Sequence, residues 1–330
     1  MMAQPSPSEI PPPHLRPPAI LLMGPTASGK SGVALELASR LPVEIISVDS
    51  AQVYRHMDIG TAKPDTPTRE DVPHHLIDLV EPDEHYSAAQ FVLDALAAMQ
   101  DITSRGRIPL LAGGTMLYFH ALLEGLSDLP AGDSNLRREI EDRAGKIGWS
   151  GMHRELLRID PTSAARIKPT DSQRIQRALE ICYLAGKPLS EILEAPRARE
   201  LPYTFVRIAL VPSDRTILHR RIARRFDKML ESGLIEEVRS IRSRFELNDS
   251  STSMRCVGYR QVGMYLNGMI GAVEMREKAA AATRQLAKRQ LTWLRAMKGL
   301  KNFDCLNETV TEQIYAYITA DLRVKAEPFR

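Results

Sequence analysis

The stretch from Ala19 to Ser31 constrains this chain more than any other part of its sequence. Its first five residues, Ala19–Met23, are apolar and predict a short buried strand. The next eight fit the pattern G-x-x-x-x-G-K-[ST] of a phosphate-binding P-loop. A helix is predicted to follow, because Val33, Leu37 and Leu41 share one helical face. The loop residues are Gly24, Pro25, Thr26, Ala27, Ser28, Gly29, Lys30 and Ser31.

The chemistry of this loop favours a phosphate ligand. Glycines let backbone N–H groups turn inward around an anion, and the N-terminus of the following helix adds a positive dipole end. Lys30 supplies a mobile cation for the outer phosphate, and the Ser31 hydroxyl is placed to bind Mg²⁺. The loop alone does not identify the molecule that carries the phosphate.

Two further predicted strands end in polar or small residues. Asp49 follows Val43–Val48, and the segment 113–115, Gly-Gly-Thr, follows Ile108–Ala112. Ligands bind at the carboxyl ends of the strands in open α/β sheets, so we predict that Asp49 lies beside the P-loop. The alternatives are a helix cap for Asp49 and an ordinary turn for the glycines. The pattern predicts an α/β fold: a P-loop NTPase-like parallel sheet core with helices on both faces and an all-helical insertion.

The insertion is predicted from a change of pattern, because residues 135–195 contain helical periodicity only. A turn cluster at 127–133 precedes it, and a strand at Phe205–Val211 returns to the core. We therefore predict a disordered proline-rich tail at 1–18, a first core segment at 19–126, the helical insertion at 127–204 and a second core segment at 205–330. One helix of the insertion has an inner stripe of Ile175, Ala178, Leu179 and Cys182, and Gly186 ends it.

Positive charge is concentrated near the end of the chain. Lys and Arg number 44 against 41 Asp and Glu overall, but 10 against 2 in residues 255–301. A long helix is predicted to run to about Gly299, with Arg284, Lys288 and Arg295 on its outer face. Leu286, Trp293, Met297 and Leu300 are predicted to form its buried stripe. The basic face is either simply solvated or binds nucleic-acid phosphates.

Composition excludes several other classes. No apolar run approaches 18 residues, so no membrane span is predicted, and the first 18 residues lack the apolar segment of a secretory signal. The three cysteines, Cys182, Cys256 and Cys305, are isolated, which indicates neither a zinc site nor a disulfide framework and fits a reducing cytoplasm. The pair His74-His75 lacks metal-ligand spacing, so we predict a structural role for it.

Seven ordered blocks between residues 19 and 300 resemble those of the tRNA dimethylallyltransferases, also called tRNA isopentenyltransferases. Ser31 stands where this family often has Thr, and either hydroxyl can reach magnesium. The zinc finger of eukaryotic members is absent, so the resemblance is to the bacterial type. The blocks are 24–31, 49–54 continued by 57–64, 75–78, 113–118, 174–180, 257–261, and 283–290 continued by 293–295.

The resemblance implies both substrates. The loop would hold the diphosphate of dimethylallyl diphosphate, with Mg²⁺ on Ser31. The dimethylallyl group would pass to N6 of the adenosine immediately 3′ of the anticodon, in tRNAs that read codons beginning with U, and diphosphate would leave. The partner would be the tRNA anticodon stem-loop, and the enzyme a cytoplasmic monomer.

The resemblance also implies residue roles. Asp49 would be the general base, Thr115 would hold the target base from the other side, and Thr26 would touch the bridging oxygen. Arg225, one of the four arginines within residues 220–225 of the helix capped by Asp214, would neutralise the leaving diphosphate. The implied tRNA-binding residues are Asp49, Ser50, Ala51, Gln52, Thr115, Arg137, Gln173, Arg174, Ile175, Gln176, Arg177, Arg255, Cys256, Val257, Gly258, Tyr259, Arg260, Lys288, Arg289, Gln290, Leu291, Thr292, Trp293, Leu294 and Arg295.

Three alternatives remain open at this point. In a small-molecule kinase the loop would hold ATP and Asp49 would activate a hydroxyl, but the basic face and the insertion would be unused. A P-loop GTPase is disfavoured, because the sequence contains no Asn-Lys-x-Asp motif. An RNA-binding module with a structural nucleotide is the non-enzymatic alternative.

Overall fold

One parallel sheet organises the computed structural model, which describes residues 12, 15–125, 129–130, 132–194, 200–248 and 251–326. Within those residues the sheet has six strands, in the order β3-β2-β4-β1-β5-β6. All five neighbouring pairs are parallel. The strands are β1 Pro18–Met23, β2 Val43–Val48, β3 His74–His75, β4 Ile108–Gly113, β5 Thr204–Val211 and β6 Lys301–Asp304.

The helices of the described residues follow the predicted alternation. They are α1 Lys30–Ala38, α2 Thr66–Asp71, α3 Ala88–Ser104, α4 Met116–Glu124, α5 Ser134–Ile159, α6 Pro161–Arg166, α7 Ser172–Ala185, α8 Leu189–Glu194, α9 Arg215–Glu231, α10 Leu234–Arg244, α11 Tyr259–Leu266, α12 Ala272–Ala296 and α13 Val310–Ala326. Two predicted boundaries are confirmed, since Asp214 caps α9 through its side chain and Gly186 ends α7 in the left-handed conformation. Ser87 caps α3 in the same way as Asp214 caps α9.

The central strands are buried on both faces, as expected for a parallel sheet covered by helices. Every residue of β2 is buried, and Ala19–Met23 of β1 are fully buried. Leu21 lies in register with Leu111 of β4 on one side and Arg207 of β5 on the other. The α/β fold predicted from the sequence is therefore confirmed.

The described residues divide into two compact units. The first contains those up to Ala121 and from Glu200 onward, and the second contains those within Leu122–Arg199. The sequence analysis placed the insertion at 127–204 instead. The difference arises because the last turn of α4 already groups with the second unit, and because Arg16 holds Glu200 and the Leu201 carbonyl in the first.

The first unit has two large apolar clusters. One joins β1, β2, β4 and β5 to α1 and α13, with Leu37, Ile208 and Ile314 fully buried. The other packs the segment 53–57 against α9, α10, α11 and α12. This second cluster matters for the site, because it fixes the residues that follow Asp49 against the basic C-terminal helices.

The second unit contains α5–α8, which pack around its own core. The predicted inner stripe of α7 lies in that core. Inside α5, Gly148 has a φ of 72°, a left-handed conformation that interrupts the helix. Glu180 is fully buried, and it is paired with Arg137 and Arg177.

The sequence analysis misses two strands and sets one boundary wrongly. The missed strands are β3 and β6, because strands of two and four residues carry almost no periodic signal. The tail predicted at 1–18 ends too late, since Pro18 belongs to β1 and Arg16 is paired with Glu200. Residues 1–11 and 13–14 of that tail lie outside the described residues.

Candidate active site in the P-loop unit

The P-loop joins β1 to α1 as predicted. Gly29 has a φ of 84° and precedes the helix without a side-chain cap, so the first N–H groups of α1 have no capping partner. A Cβ placed on Gly29 or Gly32 would meet no atom within 4 Å, so the space around the loop at these positions is open. An open loop with uncapped N–H groups at a helix N-terminus can bind an anion.

Three charged groups converge at this loop. The pKa of Lys30 falls to about 8, mainly through burial and then through the nearby Arg225, while Asp49 acts in the opposite direction. The pKa of Arg225 is likewise lowered by burial and raised by Asp49. Two desolvated cations therefore lie within electrostatic reach of one carboxylate, with a net positive charge that suits a phosphate chain.

Asp49 and Thr115 are brought together by the ends of two neighbouring strands. A Cβ on Gly113 would lie 2.0 Å from the Val48 carbonyl oxygen, so only glycine permits this close approach of β4 to β2. The Thr115 N–H donates to that same carbonyl at 3.1 Å, and its Oγ1 accepts from the Ser50 N–H at 3.0 Å. One oxygen of Asp49 accepts from the Ala51 N–H at 2.9 Å.

The structure separates Arg225 from three neighbouring arginines of α9. Arg220, Arg221 and Arg224 are exposed, whereas Arg225 is partly buried and its guanidinium reaches the Thr61 carbonyl at 3.5 Å. Only Arg225 among these four affects the pKa of Lys30. Asp49, Lys30 and Arg225 thus form the charged centre of the site.

The segment 57–64 borders this charged centre, because its Thr61 carbonyl lies at the Arg225 guanidinium. One carboxylate, Glu237, accepts from the backbone N–H groups of Asp58, Ile59 and Gly60 and from the Tyr259 hydroxyl. Lys63 is buried and donates to the Tyr54 carbonyl and to two aspartates. Sequence reasoning missed Glu237, because an acidic residue in the first turn of a helix looks like an ordinary dipole partner.

Gln290 of α12 is a second residue that sequence reasoning assigned differently. Its Oε1 accepts from the Thr26 N–H at 2.9 Å, and its Nε2 donates to the Gly114 carbonyl at 2.8 Å. The residue is only 7% exposed. Its amide therefore bridges the P-loop and the turn that carries Thr115.

The outer surface of α12 is basic. We call its exposed residues Lys288, Arg289, Thr292, Trp293 and Arg295 the α12 basic face. A cavity of about 300 Å³ lies between this helix and α9, and the basic residues that line it are Arg215, His219, Arg284, Lys288 and Arg295. Within the part of the chain that the structure describes, none of these five side chains is in an ion pair.

The predicted buried stripe of α12 is wrong: Leu286, Met297 and Leu300 are only half-buried, and the last two lie beyond the end of the helix. Trp293 is 39% exposed, and the buried residues of the helix are instead Met275, Ala279, Ala280, Ala287, Gln290, Leu291 and Leu294. Trp293 is on the basic face, where its ring packs edge-on against His120. An exposed aromatic among cations is typical of a nucleic-acid surface.

Five predicted RNA contacts have buried side chains, which does not favour direct contact with RNA at these positions. They lie in apolar cores or brace the loop, as described for Gln290, and Leu291 also lines the cavity beside α9. The five are Ile175, Tyr259, Gln290, Leu291 and Leu294. For Tyr259, burial and Glu237 both raise the pKa well above its usual value, which keeps the hydroxyl protonated as a donor.

Other predicted contacts lie at or near the site. Gln52 accepts from the Ser47 hydroxyl at 2.8 Å, and its Nε2 reaches the Thr61 carbonyl. Burial, with a contribution from Asp49, raises the pKa of Cys256 to about 12, so this thiol stays protonated near the carboxylate. Arg255 and Arg260 are exposed, Val257 is half-buried, and Gly258 has a φ of 96° before α11.

The predicted RNA contacts in the second unit differ in exposure and in their partners. Gln173 and Arg174 are exposed at the start of α7. Arg137 and Arg177 both pair with the buried Glu180, and Gln176 donates to the Arg137 carbonyl. A buried carboxylate without a partner is strongly unfavourable, so these two arginines stabilise the unit whatever else they bind.

Among the described residues, no group of three or more His, Cys, Asp or Glu is arranged to hold a metal. His75, predicted to be structural, lies on β3 and contacts Glu44 at 2.7 Å. No described helix is long and apolar enough to cross a membrane.

A parallel sheet with a P-loop after its central strand β1, and with Lys30, Arg225 and Asp49 around the loop, defines a phosphate-binding α/β protein of the P-loop class. Comparisons with known protein families identify a single family within this class. The family model "IPP transferase" matches residues 52–297, and the model "Isopentenyl transferase" matches residues 18–73. The chain belongs to the IPP transferase family, and it is a transferase.

Named relatives agree with this assignment. The chain is 65% identical to a tRNA dimethylallyltransferase of Nitrosospira multiformis, covering 92% of this chain and 94% of the relative. It is 56% identical to the enzyme of the same name from Dechloromonas aromatica, covering 94% and 99%.

Solved structures extend the similarity to the fold. The tRNA isopentenylpyrophosphate transferase of Bacillus halodurans is 36% identical with a TM-score of 0.69, covering 94% of this chain and 98% of that one. A eukaryotic dimethylallyltransferase acting on tRNA is 27% identical with a TM-score of 0.72, covering 93% and 80%. These relatives do not favour the kinase alternative.

Proposed function

We propose that this enzyme transfers the dimethylallyl group of dimethylallyl diphosphate to N6 of the adenosine immediately 3′ of the anticodon, in tRNAs that read codons beginning with U. The observation that carries the proposal is the convergence of Lys30, Arg225 and Asp49 at the open P-loop. In the reaction the bond between the allylic carbon and the bridging oxygen breaks. The bond from N6 to that carbon forms, and diphosphate leaves.

The donor half of the site supports departure of the diphosphate. Negative charge grows on the bridging oxygen as the carbon–oxygen bond breaks, and preorganised cations and N–H donors stabilise it. Lys30, Arg225 and the N–H groups of the loop supply that stabilisation. The Ser28 hydroxyl is buried and has no hydrogen-bond partner among the described residues, and a ligand inside the loop is its proposed partner. Thr26 is proposed to contact the bridging oxygen.

The acceptor half of the site must activate a weak nucleophile. The exocyclic amine of adenine is a poor nucleophile because its lone pair is delocalised into the ring. Asp49 is proposed to accept the N6 proton, and Thr115 to hold the base from the other side. Because one Asp49 oxygen already accepts from Ala51, the other is the proposed proton acceptor. The target base must leave its stack to reach this position.

The residues around the loop fit a magnesium ion of the substrate-bound type. Mg²⁺ usually keeps several waters and binds through one or two protein groups plus substrate phosphates. Ser31 is exposed at the start of α1, which suits a single hydroxyl ligand. When bound, the ion would neutralise charge on the diphosphate. Lys30 and Arg225 provide the protein's own share of that neutralisation.

The proposed RNA surface combines the α12 basic face with the cationic cavity beside α9. Cations without an ion-pair partner among the described residues, together with the exposed Trp293 on the same helix, suit a phosphate backbone with a base or ribose nearby. Arg215 and His219 on α9, which lie outside the resembling blocks, join this surface through the cavity. In the second unit the exposed Gln173 and Arg174 remain proposed RNA contacts. The proposal includes a monomeric enzyme in the cytoplasm, where tRNA is found.

One experiment tests the proposed function. The protein is mixed with tRNA, Mg²⁺ and dimethylallyl diphosphate labelled in its allyl group, and in parallel with γ-labelled ATP. We expect label in tRNA only from the allyl donor, at the adenosine 3′ of the anticodon. Label transferred from ATP, or no label in tRNA from either donor, would contradict the proposal.

A further inference from the structure

The buried amide of Gln290 does not behave as an RNA contact. It lies on the inner side of α12, and both of its polar atoms are used within the protein. One bond reaches the Thr26 N–H of the P-loop, and the other reaches the Gly114 carbonyl in the turn before Thr115. The amide thus connects the segments that carry the donor-binding and acceptor-binding halves of the site.

The local packing leaves no substitute for this amide. A Cβ on Gly114 would lie 2.5 Å from Gln290 Nε2, so the turn approaches the side chain as closely as glycine allows. The flanking Leu291 and Ala287 of α12 are buried, which fixes the helix that carries the amide. A buried amide with two satisfied bonds holds its partners in a defined geometry, and removing it leaves two backbone groups unpaired.

We propose that Gln290 is a positioning residue for the diphosphate site. It holds Thr26 and the P-loop at a fixed distance from the turn that carries Thr115, and it does not bind RNA. The inference rests on the proposed function only in taking diphosphate as the ligand. The inner side of α12 therefore contributes to donor binding, while the α12 basic face remains the RNA surface.

The test breaks the same contact from both sides. Gln290→Met keeps the side-chain length without its polar atoms, and Gly114→Ala displaces the amide without altering residue 290. Gln100→Met, an exposed glutamine on α3, is the matched control. For each protein we measure calorimetric binding of inorganic pyrophosphate with Mg²⁺, the Kd for tRNA, and the KM for each substrate.

Both contact variants should raise the pyrophosphate Kd and the donor KM about tenfold, the size expected for one lost buried hydrogen bond with an unpaired partner. Their tRNA Kd should stay within about twofold of wild type. The double variant should be no weaker than the stronger single variant, because both substitutions remove one contact. The control should match wild type.

An unchanged pyrophosphate Kd in both variants, or a raised tRNA Kd with normal pyrophosphate binding, would overturn the inference. If Gln290→Met fails to fold, Gly114→Ala decides the question alone. Failure of the proposed function is distinct, since it would appear as a wild-type protein that transfers no label to tRNA. A general loss of folding would lower the active fraction and kcat rather than raise the donor KM alone.

Discussion

The P-loop centre and the α12 basic face use cations in opposite ways. At the centre, Lys30 and Arg225 are desolvated, and burial lowers the pKa of each. On the basic face, Lys288, Arg289 and Arg295 are exposed to water. Charges removed from water act strongly on nearby groups, whereas exposed charges are screened by salt. The first region is therefore suited to bond breaking, and the second to salt-sensitive capture of a polyanion.

The largest expected effect lies at the carboxylate of the centre. Asp49→Asn keeps the shape of the side chain but removes the proton acceptor, so turnover should fall about 10³-fold, within the range of general-base catalysis. The tRNA Kd should not change, because affinity belongs to the other region. Steady-state transfer and filter binding measure the two quantities, with the exposed Asp83→Asn as control. Normal turnover of Asp49→Asn would remove the carboxylate from the mechanism.

Arg225 offers a comparison between adjacent positions. Arg225→Met should lower kcat about 10²-fold, the size found when one donor to a developing anion is lost. Arg224→Met removes an exposed charge one residue earlier and should leave kcat near wild type. Single-turnover rates at saturating substrates make the comparison. Equal losses in the two variants would show that proximity to Lys30 is irrelevant.

The pH dependence of kcat/KM for the donor should distinguish the P-loop centre from the α12 basic face. Lys30 is protonated below its pKa of about 8 in the free enzyme, and only this form attracts diphosphate. kcat/KM for the donor should therefore be constant below pH 8 and fall about tenfold per pH unit well above it. Bound diphosphate favours the charged lysine, so kcat should hold to higher pH. Lys30→Arg should remove the fall, and a fall that persists in this variant would implicate another group.

The smallest effect is expected on the basic face. Lys288→Ala with Arg295→Ala should weaken tRNA binding and lower the slope of log Kd against log salt by about 2, one for each lost phosphate contact. Lys228→Ala with Arg239→Ala removes the same charge from other exposed positions and serves as the control. Binding titrations over a salt series give the slopes. An unchanged slope would mean that this face is only solvated.

The parts of the fold and of the site that could be predicted are mainly those encoded by residues close together in the sequence. The P-loop pattern, the apolar strands β1 and β2 and the cap Asp214 each depend on neighbouring residues in the chain. Asp49 and Thr115 could be paired because the carboxyl ends of parallel strands share one edge. Arg225 could be chosen among its neighbours only by resemblance, since all four lie on one helix.

Long-range contacts explain what was missed. Much of the inner side of α12 is formed by alanines such as Ala279 and Ala287, which give a weak apolar signal, so the larger Trp293 was wrongly placed inside. The partners of Gln290 are 264 and 176 residues away in the chain. Similarly, Arg137 and Arg177 looked like surface cations because the buried position of Glu180 follows only from the packing of α5 and α7.

Single-turnover transfer at saturating tRNA tests most directly whether catalysis belongs to the P-loop centre and tRNA binding to the α12 basic face. The rate constant is measured for Asp49→Asn and for Lys288→Ala with Arg295→Ala, using labelled dimethylallyl diphosphate. The doubly substituted enzyme should transfer at the wild-type rate once tRNA is saturating, and Asp49→Asn should remain about 10³-fold slower. A slow basic-face variant together with a fast Asp49→Asn enzyme would contradict the assignment of chemistry to the P-loop centre.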